Sequence, residues 1–412
     1  MPPSTVSGVT VPRPRALLVV TLLAGLLLRL GWGLVQPRDE AGLAALPDQV
    51  EYLALGRSVL NAGAFAFHDG RFDDTVYAFR TPGYPLLVAA CGGSPLVVRV
   101  VQALIDTSTA LAAYLLARRW LAERSAVLAA ALVAFNPFLV YFSGLILSET
   151  LFTAMLTWGA LLLLSPGRWW PAAFVLAAAA LVRPSAILLT PVLAAAVPGL
   201  RWSHRLTYAA AAFGLTIAVL LPWGWRNNRV LGRWVLTTTN GGITLYDGFH
   251  PAATGASDQS FVRRMPELSE MTELQRNDYL EHAAGRYMQN NPGRSVRLGL
   301  VKLARTWSPI PLSDEYGRTS YRLVGLAWGV PLFGLVLIGL ARPNLPASAK
   351  VLLLLPAMYF SAVHAMSVGS LRYRVPVEPM LAVVAASALR RGQSSEFRVQ
   401  DRRAVGPSSP EL

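Results

Sequence analysis

Apolar runs long enough to cross a bilayer recur along this chain. Backbone placed in hydrocarbon must satisfy its own hydrogen bonds, so such runs fold as helices packed in a bundle. They fall at 16–35, 97–117, 125–143, 148–165, 169–182, 184–199, 205–223, 322–341, 350–366 and 375–389, about ten spans by the usual length of roughly 20 residues. The short runs 169–182 and 184–199 are divided only by Arg183-Pro184 and read as two spans, one kinked span or a re-entrant pair. Of the residues 53% are hydrophobic and 15% charged, against about 25% charged in soluble domains. The fold class expected is therefore an all-α polytopic membrane protein.

Basic residues in short connections set the orientation of such a chain. Arg118, Arg119 and Arg124, then Arg168, Arg201 and Arg205, Arg342 and Lys350, and Arg390 and Arg391 all fall on one side if the N-terminus is cytoplasmic. That choice puts 36–94, the Ser148-Glu149 turn, Arg183, 224–321 and the His364–Arg374 turn on the outer side. The net charge of +14 is explained by those loops and by anionic headgroups, so no nucleic-acid partner is expected. Arg29 lies in the first run and is expected to snorkel toward its outer end. The single cysteine, Cys91, rules out a disulfide within the chain or a site built from several thiolates.

Four regions follow. Residues 1–223 form an N-terminal transmembrane module with an outer loop at 36–94, and 224–321 form a small extracytoplasmic mixed α/β segment. Its strands are expected at Trp234–Thr238 and Ile243–Tyr246, with a helix from Glu273 to Asn290 ended by Asn291-Pro292-Gly293. Residues 322–389 return to the membrane, and 390–412 form a disordered cytoplasmic tail.

Polar side chains in apolar surroundings are the candidates for chemistry. Asp48 follows the first span, where it either caps a helix over Gln49–Asn61 or takes a proton from an acceptor. Glu51 is one turn further on the same face. Arg80, in the rigid Thr81-Pro82-Gly83-Tyr84-Pro85 turn, suits a phosphate. Glu149 opens a membrane helix and needs either a partner or an aqueous cavity. Arg183, with almost nothing polar beside it in sequence, needs an anion. Asp106, deep in the second span, is read as a partner for Arg29 or Arg183 or as a packing group. Arg226 and Asn227 after Pro222-Trp223 suit headgroup or sugar contacts. Asn240 and Tyr246 in the 239–246 stretch, and Arg372, Tyr373 and Arg374 near the last span, complete the set.

Asp48 with Tyr52, Arg80 through Pro85 with Tyr84, Ser148 through Phe152, Arg183-Pro184, Pro222 through Asn227, Thr239 through Gly242 with Tyr246, and Arg372-Tyr373-Arg374 with Pro376 and Glu378-Pro379 resemble the bacterial branch of glycosyltransferase family 39. That group includes protein O-mannosyltransferases and the aminoarabinose transferases acting on lipid A, with the GT-C fold. The resemblance runs nearly to Leu389. It implies an enzyme of the bacterial cytoplasmic (inner) membrane with its active site on the outer face. There a sugar moves, with inversion, from a polyprenyl-phosphate donor to a lipid, polysaccharide or protein acceptor. The acid after the first span, the catalytic residue in that family, maps to Asp48, and the second-loop acid maps to Glu149. Where family members carry an Asp-Glu pair, this chain has Asp48-Gln49 with its next acid at Glu51, the third candidate catalytic carboxylate. Arg80, Arg183 and Arg372 are the candidate carrier-phosphate ligands; Tyr52, Tyr84, Arg226, Asn227, Asn240, Tyr246, Tyr373 and Arg374 are candidate substrate contacts.

Such chemistry requires no cofactor, because a phosphate met by arginine is already a good leaving group. No metal-binding motif is evident in the sequence, and a divalent cation between Asp48 or Glu149 and phosphate is compatible with it. The alternative from another class is a polytopic transporter or a flippase for lipid-linked sugars. Such proteins commonly show paired repeats and helices broken at the midplane, whereas here the polar candidates gather on one side.

Overall fold

The computed structural model describes residues 14–197, 200–312 and 318–389. The tail at 390–412, with Arg390 and Arg391, lies outside the described residues. The chain is helical and polytopic: Pro14–Val35, Pro95–Ala117, Trp202–Leu231, Thr319–Ala341 and Ala347–Ala365 are long and apolar enough to span. Glu123–Ala134 and Pro137–Ser143 make a sixth if taken as one span bent by 50°. The bend has a local cause: Pro137 takes the first helical position, and the Asn136 side chain accepts from Phe138 and Leu139 amides, which starts a new helix.

Several of the ten expected runs are too short to span alone. Trp169–Ala178 passes through a 3-10 turn to Arg183, whose φ of −141° and ψ of 117° are the extended backbone that a following proline favours. Leu189–Ala195 then resumes the helix. In place of the expected 375–389 span stands Glu378–Ala386, a nine-residue helix buried along its whole length. It packs on Thr319–Ala341, Glu123–Ala134 and Pro95–Ala117. A helix apolar on every side has the hydropathy of a span, and only its length shows that it is core.

Arg29 does not snorkel. It is 1% exposed, and its Nε meets Asp106 Oδ2 at 2.6 Å while its Nη atoms donate to the carbonyls of Gly25, Val133 and Ala134. The pair joins the first helix to its two neighbours where Gly25 lets the Ala134 backbone approach. Removing one member of such a pair strands the other charge. Arg29→Met should therefore cost about 3–5 kcal/mol in thermal or denaturant unfolding, and Arg29→Met/Asp106→Leu should recover most of it. A double variant as unstable as the single one would show that the carbonyl bonds carry the effect.

The expected strands within 224–321 are replaced by helix and loop. Ile243 through Tyr246 lie in Gly241–Gly248, and 234–238 is irregular. A short β-branched run cannot declare its own state; here packing on Glu273–Asn290 decides it, with Gly242 set directly against Asn277. The hairpin instead lies in the first loop, where Phe67–Asp69 pairs antiparallel with Asp74–Val76 through a turn holding Asp73 at φ 50°. Glu273–Asn290 forms as expected, opened by a Thr272/Gln275 capping box. Pro292 then starts a further helix, Pro292–Thr306.

The 36–94 and 224–321 segments share one core: Phe67, Phe72, Val76 and Phe79 pack with Ile243, Phe261, Val262, Leu268 and Leu280. Glu273 accepts from the amides of Tyr77 and Ala78, and Arg276 meets Asp74 at 2.5 Å. Trp202–Leu231, at 30 residues, is about 45 Å long at 1.5 Å per residue, more than the hydrocarbon thickness. Its last turns carry Arg226 to the first loop, where it donates to the carbonyls of Tyr77 and Phe65.

Candidate active site

The Pro47–Ala62 helix begins two residues earlier than expected, with Leu46 as N-cap and no side-chain cap bond. Asp48 therefore sits inside the first turn and is not the cap. Its carboxylate is divided between two arginines from far along the chain. Oδ1 accepts from Arg80 at 2.5 Å and Oδ2 from Arg372 at 2.6 Å.

These bonds belong to a longer alternating series. Asp69 meets Arg71 at 2.7 Å, and Arg71 meets Glu51 at 2.9 Å. Glu51 pairs with Arg80, Arg80 with Asp48, Asp48 with Arg372, and Arg372 with Glu149. Glu149 finally meets Arg183 at 3.1 Å. Four acids alternate with four arginines, so the charge closes locally, the condition for holding many ions in a desolvated place.

Each member is fixed by its element. Gln49, one residue after Asp48, accepts from the Ile146 amide at 3.0 Å and braces the turn that leads to Glu149. Glu149 opens the Glu149–Leu163 helix, where the macrodipole favours an acid. It is fully buried, with both arginines on Oε1 and no hydrogen-bond partner for Oε2 among the described residues. Arg80 lies over the rings of Tyr52 and Phe79 at 5.2 and 5.4 Å. Arg183 lies over Phe152 and Tyr373, both at 5.7 Å, and Tyr373 stacks on His364 at 3.7 Å. Tyr84 stands edge-on behind Tyr52 at 4.8 Å and donates to Gln102. Arg372 and Tyr373 come in on a 3-10 turn, Leu371–Tyr373, opened by the Ser370 side chain.

The electrostatics separate Asp48 from Glu51. Burial pushes Asp48 upward, but Arg80 and Arg372 outweigh it and hold the group well below the usual carboxylate range. At Glu51 burial wins over Arg80, and the neighbouring Asp48 charge adds to it, so its pKa is raised. The Asp48 side chain keeps 29% exposure, so an incoming group can reach it.

The structure thus brings together Asp48, Glu51, Tyr52, Arg80, Glu149, Arg183, Arg372 and Tyr373, with Tyr84 as support. It does not bring in Arg226 and Asn227, which clasp backbone carbonyls of 65, 77 and 235. Tyr246 stacks on His250, and Arg374 is buried against Glu378, the Ser308 carbonyl and the rings of Phe138 and Phe333. Asn240 Oδ1 is buried without a partner among the described residues. Sequence reasoning missed Arg71, which joins Glu51 to Asp69 and also donates to Gln259; its place two residues after Asp69 in an acidic turn was the available signal. No group of three or more His, Cys, Asp or Glu among the described residues is placed to hold a metal.

Residues 85–223 match the family model described as dolichyl-phosphate-mannose-protein mannosyltransferase. No curated protein matches the chain. Among solved structures it is similar to the archaeal oligosaccharyltransferase AglB from Archaeoglobus fulgidus, in complex with an inhibitory peptide and a dolichol-phosphate. Identity there is 13%, the TM-score is 0.52, and the match covers 91% of this chain and 50% of that one. The Archaeoglobus fulgidus oligosaccharyltransferase tethered to an acceptor peptide gives 14% identity, a TM-score of 0.50 and coverage of 90% and 49%. The chain spans about half the length of these structures. Its fold is thus similar to that of the Archaeoglobus fulgidus oligosaccharyltransferase over the part covered, and its 85–223 segment carries the mannosyltransferase family's match.

Proposed function

We propose that this protein is a membrane glycosyltransferase that moves a sugar from a polyprenyl-phosphate-linked donor to an acceptor on the outer face of the cytoplasmic membrane, with inversion. The observation that carries this reading is the division of one accessible carboxylate between two arginines that come from opposite ends of the chain. The match of 85–223 to lipid-linked mannosyltransferases supports it.

In the reaction, the acceptor oxygen attacks the anomeric carbon as the bond from that carbon to the phosphate oxygen breaks. The electron pair goes to the polyprenyl phosphate, whose charge Arg372 and Arg80 meet, with Arg183 behind Glu149 as a further cation. The acceptor proton passes to Asp48. One carboxylate suffices for this single displacement; retention would call for a second carboxylate as nucleophile, by analogy with glycosidases.

At rest Asp48 is a poor base, because two guanidiniums stabilise its charged form. A donor phosphate that takes N–H groups from Arg80 and Arg372 weakens both pairings, and the Asp48 pKa rises. The acid limb of kcat, which reports the donor-loaded enzyme, should therefore lie at higher pH than the limb of kcat/KM for the donor, which reports the free enzyme. Coincident limbs in a pH-rate series would contradict the exchange. The test of the reading as a whole is sugar transfer from polyprenyl-phosphate donor by the reconstituted protein; absence of any release of the lipid phosphate would sink it.

A further inference from the structure

A buried lysine lies beyond the charge series and has no role in the transfer as written. Lys302, in Pro292–Thr306, is fully buried, and its Nζ has no hydrogen-bond partner among the described residues. The amine sits 3.2 Å from the centroid of the Phe249 ring. Three glycines from separate segments close around the residue. A Cβ on Gly248 would lie 2.9 Å from Nζ, one on Gly255 3.5 Å from Cγ, and one on Gly369 2.6 Å from the Lys302 Cα. Gly369 donates to the Gly255 carbonyl at 2.8 Å, and its own carbonyl accepts from Arg305. Directly after Gly369, Ser370 accepts from the Arg372 amide. Contacts thus run from the lysine backbone through Gly369 and Ser370 to the arginine that holds Asp48 and Glu149.

We propose that Lys302 is a positioning residue for Arg372: its amine, buried against Gly248 and the Phe249 ring, and its backbone, packed on Gly369, keep the 367–371 segment closed, and a proton gained at the amine opens it. The consequence for donor phosphate rests on the reading of Arg372 as a phosphate ligand. An ammonium there meets the Phe249 ring face but has no hydrogen-bond acceptor, which is costly in such a place; the Ser367 carbonyl, which also abuts Gly248, and Asp247 are the acceptors of the packed segments. Drawing the Ser367 carbonyl toward Nζ moves the 367–371 segment. Burial lowers the amine to about 7, with Asp247 opposing. The elements packed against it carry Asp247, whose oxygens already accept from Ser257 and the Asp258 amide. They also carry His250 and Asp258 in the loop around Gly255, His364, Arg372 and Tyr373 on the Gly369 side, and Arg305 on the lysine's own helix.

The sign follows from linkage. The closed form binds its proton only below about 7, whereas an open, solvated lysine binds it below about 10.5. Between those values the open form holds more protons, so closure strengthens as pH rises, by about tenfold per pH unit. Hydrogen exchange of the 367–374 peptide in the full chain in nanodiscs, corrected for intrinsic rates between about pH 7 and 9, reads this directly. The wild type should gain protection at that slope, while Lys302→Met should show none. Lys302→Arg, charged throughout, should be flat and poorly protected, and serves if the Met variant does not fold. A flat wild type, or a variant that keeps the wild-type slope, would overturn the proposal. Polyprenyl phosphate added in the same experiment separates the two readings. If the slope is present and lost in the variants but the lipid phosphate binds at no pH, the phosphate reading fails and the positioning role stands.

Discussion

Asp48→Asn should lower sugar transfer by about two to four orders of magnitude, the usual contribution of a positioned general base, while polyprenyl-phosphate binding changes by only a few-fold. The amide keeps the shape of the carboxylate but cannot take the acceptor proton. The fold should survive, because Arg80 retains Glu51 and Arg372 retains Glu149 as counter-ions. Binding of the lipid phosphate should hold or tighten slightly, since both guanidiniums lose a competitor. Transfer rate and lipid-phosphate affinity measured on the same preparation check the separation. An Asn variant that transfers at the wild-type rate removes Asp48 from catalysis.

Arg372→Ala should act on donor binding and stability together. It bares Asp48 Oδ2 and leaves fully buried Glu149 with only the Arg183 contact at 3.1 Å. Breaking a buried pair costs about 3–5 kcal/mol; the Arg372 side chain is 25% exposed, which discounts the expected loss to about 2–3 kcal/mol. Donor affinity should fall by about tenfold to a hundredfold, the value of one charge-assisted contact at roughly 1.5–3 kcal/mol. Arg372→Ala/Glu149→Gln discriminates between the two effects: it should restore most of the unfolding midpoint and none of the donor affinity. Recovery of both would mean that Arg372 serves only to neutralise Glu149.

Most members of the charge series were visible one at a time as polar residues with no local partner. Asp48, Arg80, Glu149, Arg183 and Arg372 each stand out against apolar or rigid surroundings. Their pairing was not visible, because the bonds join residues 32, 223 and 324 positions apart, and no periodicity encodes such contacts. The same limit explains Arg226 and Asn227. Beside Pro222-Trp223 they look like interface contacts, whereas a helix that runs past its proline delivers them to backbone carbonyls of the first loop and a nearby turn. Hydropathy located the long helices well but could not separate a span from a buried helix such as Glu378–Ala386, since both are apolar on every side. The strands expected within 224–321 failed for a related reason: local β-propensity was overridden by packing on the Glu273–Asn290 helix.

The central claim is a single displacement with Asp48 as base, and the anomeric configuration of the product tests it most directly. With donor of known configuration and membranes containing the native acceptor, the coupling constant of the transferred sugar's anomeric proton should show the opposite configuration from the donor. Retained configuration would contradict the account, because it requires a covalent glycosyl intermediate and a carboxylate acting as nucleophile.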